Sequence, residues 1–402
     1  MRNEIAIQTA TAPPLGMQPI EIVERKGLGH PDSICDALMD SVSVALCAAY
    51  QQTAGRILHH NVDKSLLVAG QSTPALGGGR IDAPLKLIFG DRATAEWNGV
   101  KIPVGEIAEA TARKWIRDHL RFVDPDKHVA FQNEIRPGSP ELTDIFARTR
   151  LTANDTSAAV GYAPLSETEQ LVIAAERYLN SPPFKVRFPA AGEDVKVMAV
   201  RRGRVLSLTV ALAFVDRFIA DATTYFSRKA EIAEDLRQFL ASRLRELDRV
   251  DIALNTLDDP SRGEGGMYLT VLGTAAEGAD GGEVGRGNRV NGVIALHRPM
   301  GTEAAAGKNP VSHVGKIYSV LSHQLAGKIH ADVPGVEEVY VWLCSQIGQP
   351  LDEPWILSVD LALASGAGVS DVAPAVRQVV EQELGQMEAF TAKLIRGEFP
   401  IC

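Results

Sequence analysis

Two stretches far apart in the chain each carry half of what a polyphosphate site needs. The first is Glu24-Arg25-Lys26-Gly27-Leu28-Gly29-His30-Pro31-Asp32. The second is Gly285-Arg286-Gly287-Asn288-Arg289, followed by Gly307-Lys308-Asn309-Pro310 and Lys316. Glycine lets backbone approach a ligand closely, and Lys, Arg and His⁺ neutralise phosphate oxygens. Asp32 adds a hard oxygen ligand suited to Mg²⁺. The pairing points to an enzyme that handles a nucleoside triphosphate. No Walker A, G-x-S-x-G or H-E-x-x-H pattern is present, so P-loop, nucleophile-triad and zinc-hydrolase chemistry lose weight.

Each residue has a plainer reading. His30 could cap a strand-to-helix turn instead of meeting phosphate at the helix start. Lys196, alternating with Asp194 and Met198, could lie on a solvated sheet face; inside an apolar strand it must find an anion or reach water. The 285–289 loop could be a turn with solvated arginines, although a loop so dense in glycine and cations is unusual for one.

The elements that position these groups follow from periodicity and punctuation. Pro31 suits the first helical position and Asp32 the positive helix end. Ile34, Leu38, Val42 and Ala45 then form a helical stripe. Leu66 to Ala69 is expected as a buried strand, Ile81 to Phe89 as another, and Gly105 to Leu120 as a helix. Ser166 and Glu169 form a capping box for a helix from Glu167 to Leu179. Asp194 to Val200 and Val205 to Phe214 are expected as a hairpin across Arg201-Arg202-Gly203-Arg204. Further helices are expected over 230–247, 310–329 and 372–393, with strands over 267–272, 339–344 and 355–362. Elements recur in roughly three rounds without a fixed-period repeat. Several strands come as hairpins, which favours an α+β fold over a doubly wound sheet.

Composition agrees with a globular enzyme. The 402 residues are 45% apolar and 23% charged, with a net charge of -9. No general attraction to nucleic acid or an anionic membrane is expected, so local cation clusters suggest a confined anion site. The longest strongly apolar run, Val205 to Phe214, is too short to span a bilayer, and the N-terminus lacks an apolar signal core. Cys35, Cys47, Cys344 and Cys402 form no CxxC pair, which fits reduced thiols in a cytoplasm.

Assembled, these motifs resemble the S-adenosylmethionine synthetase (methionine adenosyltransferase) family, specifically its archaeal-type branch. The resemblance covers essentially the whole chain. It rests on 24–32, on His59-His60-Asn61-Val62-Asp63-Lys64 leading to Gly70-Gln71, and on Asn154-Asp155-Thr156-Ser157 leading to Gly161 through Glu169. It rests also on Gly192 through Met198, on 280–292 and on 307–310. It implies that methionine sulfur attacks C5′ of ATP, releasing triphosphate that is then hydrolysed to phosphate and pyrophosphate. His30, Lys196, Arg286 and Lys308 are then the catalytic cations. Glu24, Lys64, Gln71, Gly138, Ser139, Asp155, Ser157, Asp280, Arg289 and Lys316 would bind ATP or methionine. Asp32 would bind Mg²⁺; K⁺ is carried as an open second cofactor. It implies one unit over 1–402, built of three similar, closely packed and interleaved α/β subdomains around a pseudo-threefold axis. It also implies a homodimer with active sites at the interface.

Two places depart from the family pattern. Arg136-Pro137-Gly138-Ser139 stands where the archaeal branch usually has Gly-x-Gly-Ser. Ser312-His313-Val314-Gly315 stands where the bacterial branch has a second aspartate metal ligand, so that ligand is unassigned. The competing readings are another ATP-dependent transferase or kinase, which would release ADP, and a catalytically silent nucleotide-binding subunit.

Overall fold

A computed structural model describes residues 5–138, 146 and 150–401. Three larger sheets organise it. The first orders strands Ala6–Thr9, Ile356–Leu363, Val336–Cys344 and Ala158–Ala163. The second orders Val129–Asn133, Leu85–Phe89, Leu66–Val68 and Gly282–Glu283. The third orders Arg249–Leu254, Val205–Val215, Ala191–Arg202, Ile20–Lys26 and Ile294–Ala295, with Leu269–Thr270 added beside Val205–Val215. Parallel and antiparallel pairs coexist, and helices are interspersed, so the fold is α+β. Chain order does not follow sheet order: the N-terminal Ile20–Lys26 strand sits between Ala191–Arg202 and Ile294–Ala295.

Two apolar cores result. One packs the helices Pro31–Ala54 (α1), Val104–His119, Val314–Asp332 and Val369–Leu384 on the first two sheets. The other packs Glu167–Leu179 and Ala222–Ala241 on the third. By length and mean hydropathy α1 could cross a membrane. It is a core helix instead: Leu38, Met39, Val42 and Leu46 are fully buried.

Several sequence expectations hold closely. The capping box at Ser166 and Glu169 is formed, and the helix runs Glu167–Leu179. The hairpin is Ala191–Arg202 and Val205–Val215, turning at Gly203 with φ 56°. Others need correction. The strand expected over Ile81–Phe89 is two, Arg80–Ala83 and Leu85–Phe89, because Pro84 between them has no N–H to donate. Leu66–Val68 alternates, so only Leu67 is buried. The helix expected from 230 begins at Ala222, where the Asp221 carboxylate accepts from Thr224 N and caps it. The final helix is two, Val369–Leu384 and Met387–Ile395. Strands Val129–Asn133, Ala158–Ala163 and Arg249–Leu254 were not anticipated.

Candidate active site

Strand pairing creates the first cluster. Ile20–Lys26 runs antiparallel to Ala191–Arg202, with Lys26 opposite Lys196 and Glu24 opposite Met198. Pleat alternation therefore puts Glu24, Lys26 and Lys196 on one face. Lys196 Nζ lies 3.4 Å from Glu24 Oε1, and Lys26 Nζ lies 2.8 Å from Asp32 Oδ2. The Gly27-Leu28-Gly29 turn then runs flat along the Ala191–Arg202 strand. A Cβ on Gly29 would meet Asp194 N at 2.4 Å, so only glycine fits.

That turn delivers His30 as the N-cap of α1, its Nδ1 accepting from Asp32 N at 3.2 Å. Burial depresses the imidazole to about 4, partly against the pull of Asp32. The expected His⁺ is therefore corrected to a neutral ring: Nδ1 accepts, so the proton sits on Nε2. Asp32 Oδ1 accepts from Glu283 N at 2.9 Å. Asp194 hydrogen-bonds Ala275 N at 2.8 Å and is pushed up to about 7 by burial, with nearby Asp280 adding to the rise. Exposed Asp280 also acts electrostatically on His30. Gly278 lies against Gln71 and Ser72, so exposed Gln71 borders the same loop.

The 285–289 loop folds over the start of α1. Gly285 N and Gly287 N donate to the two oxygens of Asp36 at 2.8 and 3.1 Å. Lys26 Nζ donates to Arg286 O at 2.6 Å. The Arg286 side chain is exposed and has no ion-pair partner among the described residues. Arg289 differs from expectation. Its guanidinium turns back onto Gly285 O and Gly287 O, at 2.6 and 2.8 Å, so it shapes the loop.

The second cluster lies further along α1. Lys308 Nζ sits 3.1 Å from Asp63 Oδ2 and 2.5 Å from Glu303 Oε2. Exposed Lys64 pairs with Asp63 at 2.6 Å and lies 4.0 Å from Asp91. Burial pushes Asp63 upward, but Lys308 and Lys64 outweigh it and hold it below the usual range. Asp91 is pushed up to about 6 by burial and by Asp63. Ser43 Oγ on α1 donates to Lys308 O at 3.0 Å. Gly138 lies against His59, where a Cβ would meet Nδ1 at 2.5 Å. Ser139 lies outside the described residues. Asn154 Oδ1 accepts from Val314 N, which brings exposed Asp155 and half-buried Ser157 beside this cluster.

Lys316 is not at a ligand-facing surface. It is buried, with Nζ 2.6 Å from Asp40 Oδ1. Asp32, Asp36 and Asp40 thus form an acidic ladder at i, i+4 and i+8 on one face of α1. Each rung grips a different later segment: Glu283, Gly285 with Gly287, and Lys316. Sequence reading found the apolar stripe of α1 and missed this ladder. Aspartates at helical spacing inside an apolar helix were the available signal. Lys26, Asp36, Asp63 and Asp194 were likewise not singled out.

The two clusters sit on different turns of α1. From Asp32 to Ser43 the axis advances roughly 16 Å at 1.5 Å per residue. Among the described residues no group of three or more His, Cys, Asp or Glu could hold a metal ion by itself. Asp32 is the expected metal carboxylate, and with its oxygens also accepting from Glu283 N and Lys26 Nζ a divalent cation there would take its other ligands from substrate phosphates and water.

Comparisons with known proteins agree with this geometry. The model for S-adenosylmethionine synthetase (AdoMet synthetase) matches residues 3–398. A probable S-adenosylmethionine synthase from Aquifex aeolicus is 42% identical, with 100% of each chain covered. An S-adenosylmethionine synthase from Aeropyrum pernix is 46% identical, again with 100% of each chain covered. A solved structure of an unusual S-adenosylmethionine synthetase from Campylobacter jejuni superposes with a TM-score of 0.61 at 16% identity, covering 94% of both chains. At that identity the likeness speaks for the fold.

Proposed function

The chain belongs to the S-adenosylmethionine synthetase family, and from that premise we propose how its residues divide the work. The enzyme is a methionine adenosyltransferase with ATP and methionine as substrates. The methionine sulfur forms a bond to C5′ of ATP while the C5′–O bond breaks. Triphosphate departs with the electron pair and is hydrolysed to phosphate and pyrophosphate. A thioether needs no deprotonation, so no general base is required for attack. The demand falls on stabilising the leaving triphosphate by preorganised charge.

His30 donates from Nε2 to an oxygen near the breaking bond. Lys196, Arg286 and Lys308 carry the charge of the departing chain, with Lys64 beside Lys308. Glu24 orients Lys196, to which it is paired. Asp280 and Gln71 border the methionine end; Asp155, Ser157, Gly138 and Ser139 border the nucleoside. The family uses a divalent metal. Mg²⁺, which Asp32 and phosphate oxygens would hold, is our finer assignment; it would supply further neutralisation of phosphate charge. No residue is assigned to K⁺.

One observation carries the assembly. The cluster around His30 and the cluster around Lys308 lie on separate turns of one helix, and each presents exposed cations. This supports a homodimer in which the His30 cluster of one chain meets the Lys308 cluster of its partner. Exposed Leu66 and Val68, side by side on one face of the second sheet, are suited to such an interface. The three larger sheets support three interleaved subdomains. Free Cys35, Cys47 and Cys344 support a reducing cytoplasm.

Subunit complementation tests the arrangement. His30→Asn and Lys308→Met homodimers should each be nearly inactive. Refolding them together at equal amounts should restore about a quarter of wild-type activity, because half the dimers are mixed and one of their two sites is intact. Mixtures no more active than the parents would place both clusters in a single-chain site.

A further inference from the structure

We propose that Asp36 is the positioning residue for Arg286, holding the peptides on both sides of it so that the guanidinium meets the departing triphosphate already aimed. The inference rests on the reading of Arg286 as a triphosphate cation.

The 285–287 segment would be mobile if left to its composition, because two glycines flank the arginine. The structure removes that freedom atom by atom. Gly285 N and Gly287 N go to the two oxygens of one carboxylate, Asp36. Gly285 O and Gly287 O go to Arg289. Arg286 O goes to Lys26 Nζ. Every peptide group next to Arg286 is therefore fixed, while its side chain remains exposed. The fit is tight: a Cβ on Gly287 would stand 2.1 Å from Asp36 Oδ2.

Asp36 itself is 2% exposed and lies one turn of α1 beyond Asp32. One rigid helix thereby sets the spacing between Arg286 and the metal carboxylate. Burying that carboxylate costs desolvation, which pushes it up to about 6. An apolar residue would fill the space at lower cost to the fold, but it could not grip two amides. Fixing the backbone that carries the arginine before substrate arrives removes part of the entropy cost from the bond-breaking step.

A double-mutant cycle with Arg286 tests this. Asp36→Asn keeps shape and one acceptor but turns an amide N–H₂ toward the second backbone N–H. Asp36→Asn should lower kcat about tenfold or more with the ATP KM within about threefold, the pattern of a lost transition-state interaction. In an Arg286→Met background the same substitution should cost less than about twofold. Gly287→Ala, which pushes a methyl into the intact carboxylate, should repeat the pattern and serves if Asp36→Asn does not fold. Equal losses in both backgrounds would overturn the proposal while leaving Arg286 a triphosphate cation. Arg286→Met at wild-type kcat would overturn that reading and the proposal together.

Discussion

His30 does two jobs with two nitrogens. Nδ1 caps α1, which leaves Nε2 for the donor role proposed for it. His30→Asn can keep the cap, since asparagine is a good N-cap, but its shorter side chain cannot also reach the Nε2 position. Its melting point should fall by no more than about 1 kcal/mol of stability implies, while S-adenosylmethionine formation falls on the order of a hundredfold. Hydrolysis of added triphosphate should suffer less, because that step breaks a P–O bond further along. Equal damage to both half-reactions, with a large loss of melting temperature, would make His30 a structural cap. Local motif reading placed His30 correctly at the helix start but assigned it a charge, because burial is invisible in sequence. Burial also decides Lys185. It lies behind the Ala191–Arg202 strand, donates to Gly192 O at 2.5 Å and is pushed down to about 7 by desolvation. A lysine lowered on folding binds fewer protons than the unfolded chain between about pH 7 and 10.4, so its contribution to stability rises with pH there. In wild type the gain from pH 7 to 9 should exceed that of Lys185→Met by about 2 kcal/mol at most, read from urea midpoints. Parallel pH profiles would remove Lys185 as the source.

At the scale of elements, one cation joins the two cores. Arg298 has a fully buried side chain, with Nη2 3.2 Å from Glu169 Oε2 and Nη1 2.7 Å from Glu338 Oε2. Glu169 belongs to the helix Glu167–Leu179 and Glu338 to the strand Val336–Cys344, on different cores. Arg298→Met would leave carboxylates buried without their counter-charge, a loss of about 3–5 kcal/mol. Calorimetry should show the lowered melting point, and Arg298→Met with Glu169→Gln should recover part of it. An unchanged melting point would mean the cores dock without this pair. Helices with local caps and hairpins with a glycine turn were readable from sequence, as Glu167–Leu179 and Ala191–Val215 show. Arg298 was not, because its partners are brought to it by sheets whose order departs from chain order. The same long-range assembly hid Asp36, whose partners lie beyond residue 280.

For the whole molecule, the order of synthesis matters. α1 is made early, yet the segments that its acidic ladder grips, 283–287 and Lys316, come some 250 residues later in the chain. At ~5–20 residues per second that is a wait on the order of tens of seconds. During it, a 24-residue helix apolar enough by composition to enter a bilayer lacks the segments that answer its acidic face, although the helix Val104–His119 that packs on it follows soon after. Asp32, Asp36 and Asp40 are then its only acids, spaced along one face, and charge inside a bilayer is costly. The carboxylates that clamp the 283–287 loop in the folded chain are therefore expected to favour water over a bilayer for the nascent helix. A ribosome-arrested fragment of residues 1–150 should stay in the supernatant over lipid vesicles, and Asp36→Leu with Asp40→Leu should send it to the pellet. If both fragments stay soluble, the ladder serves the folded enzyme alone.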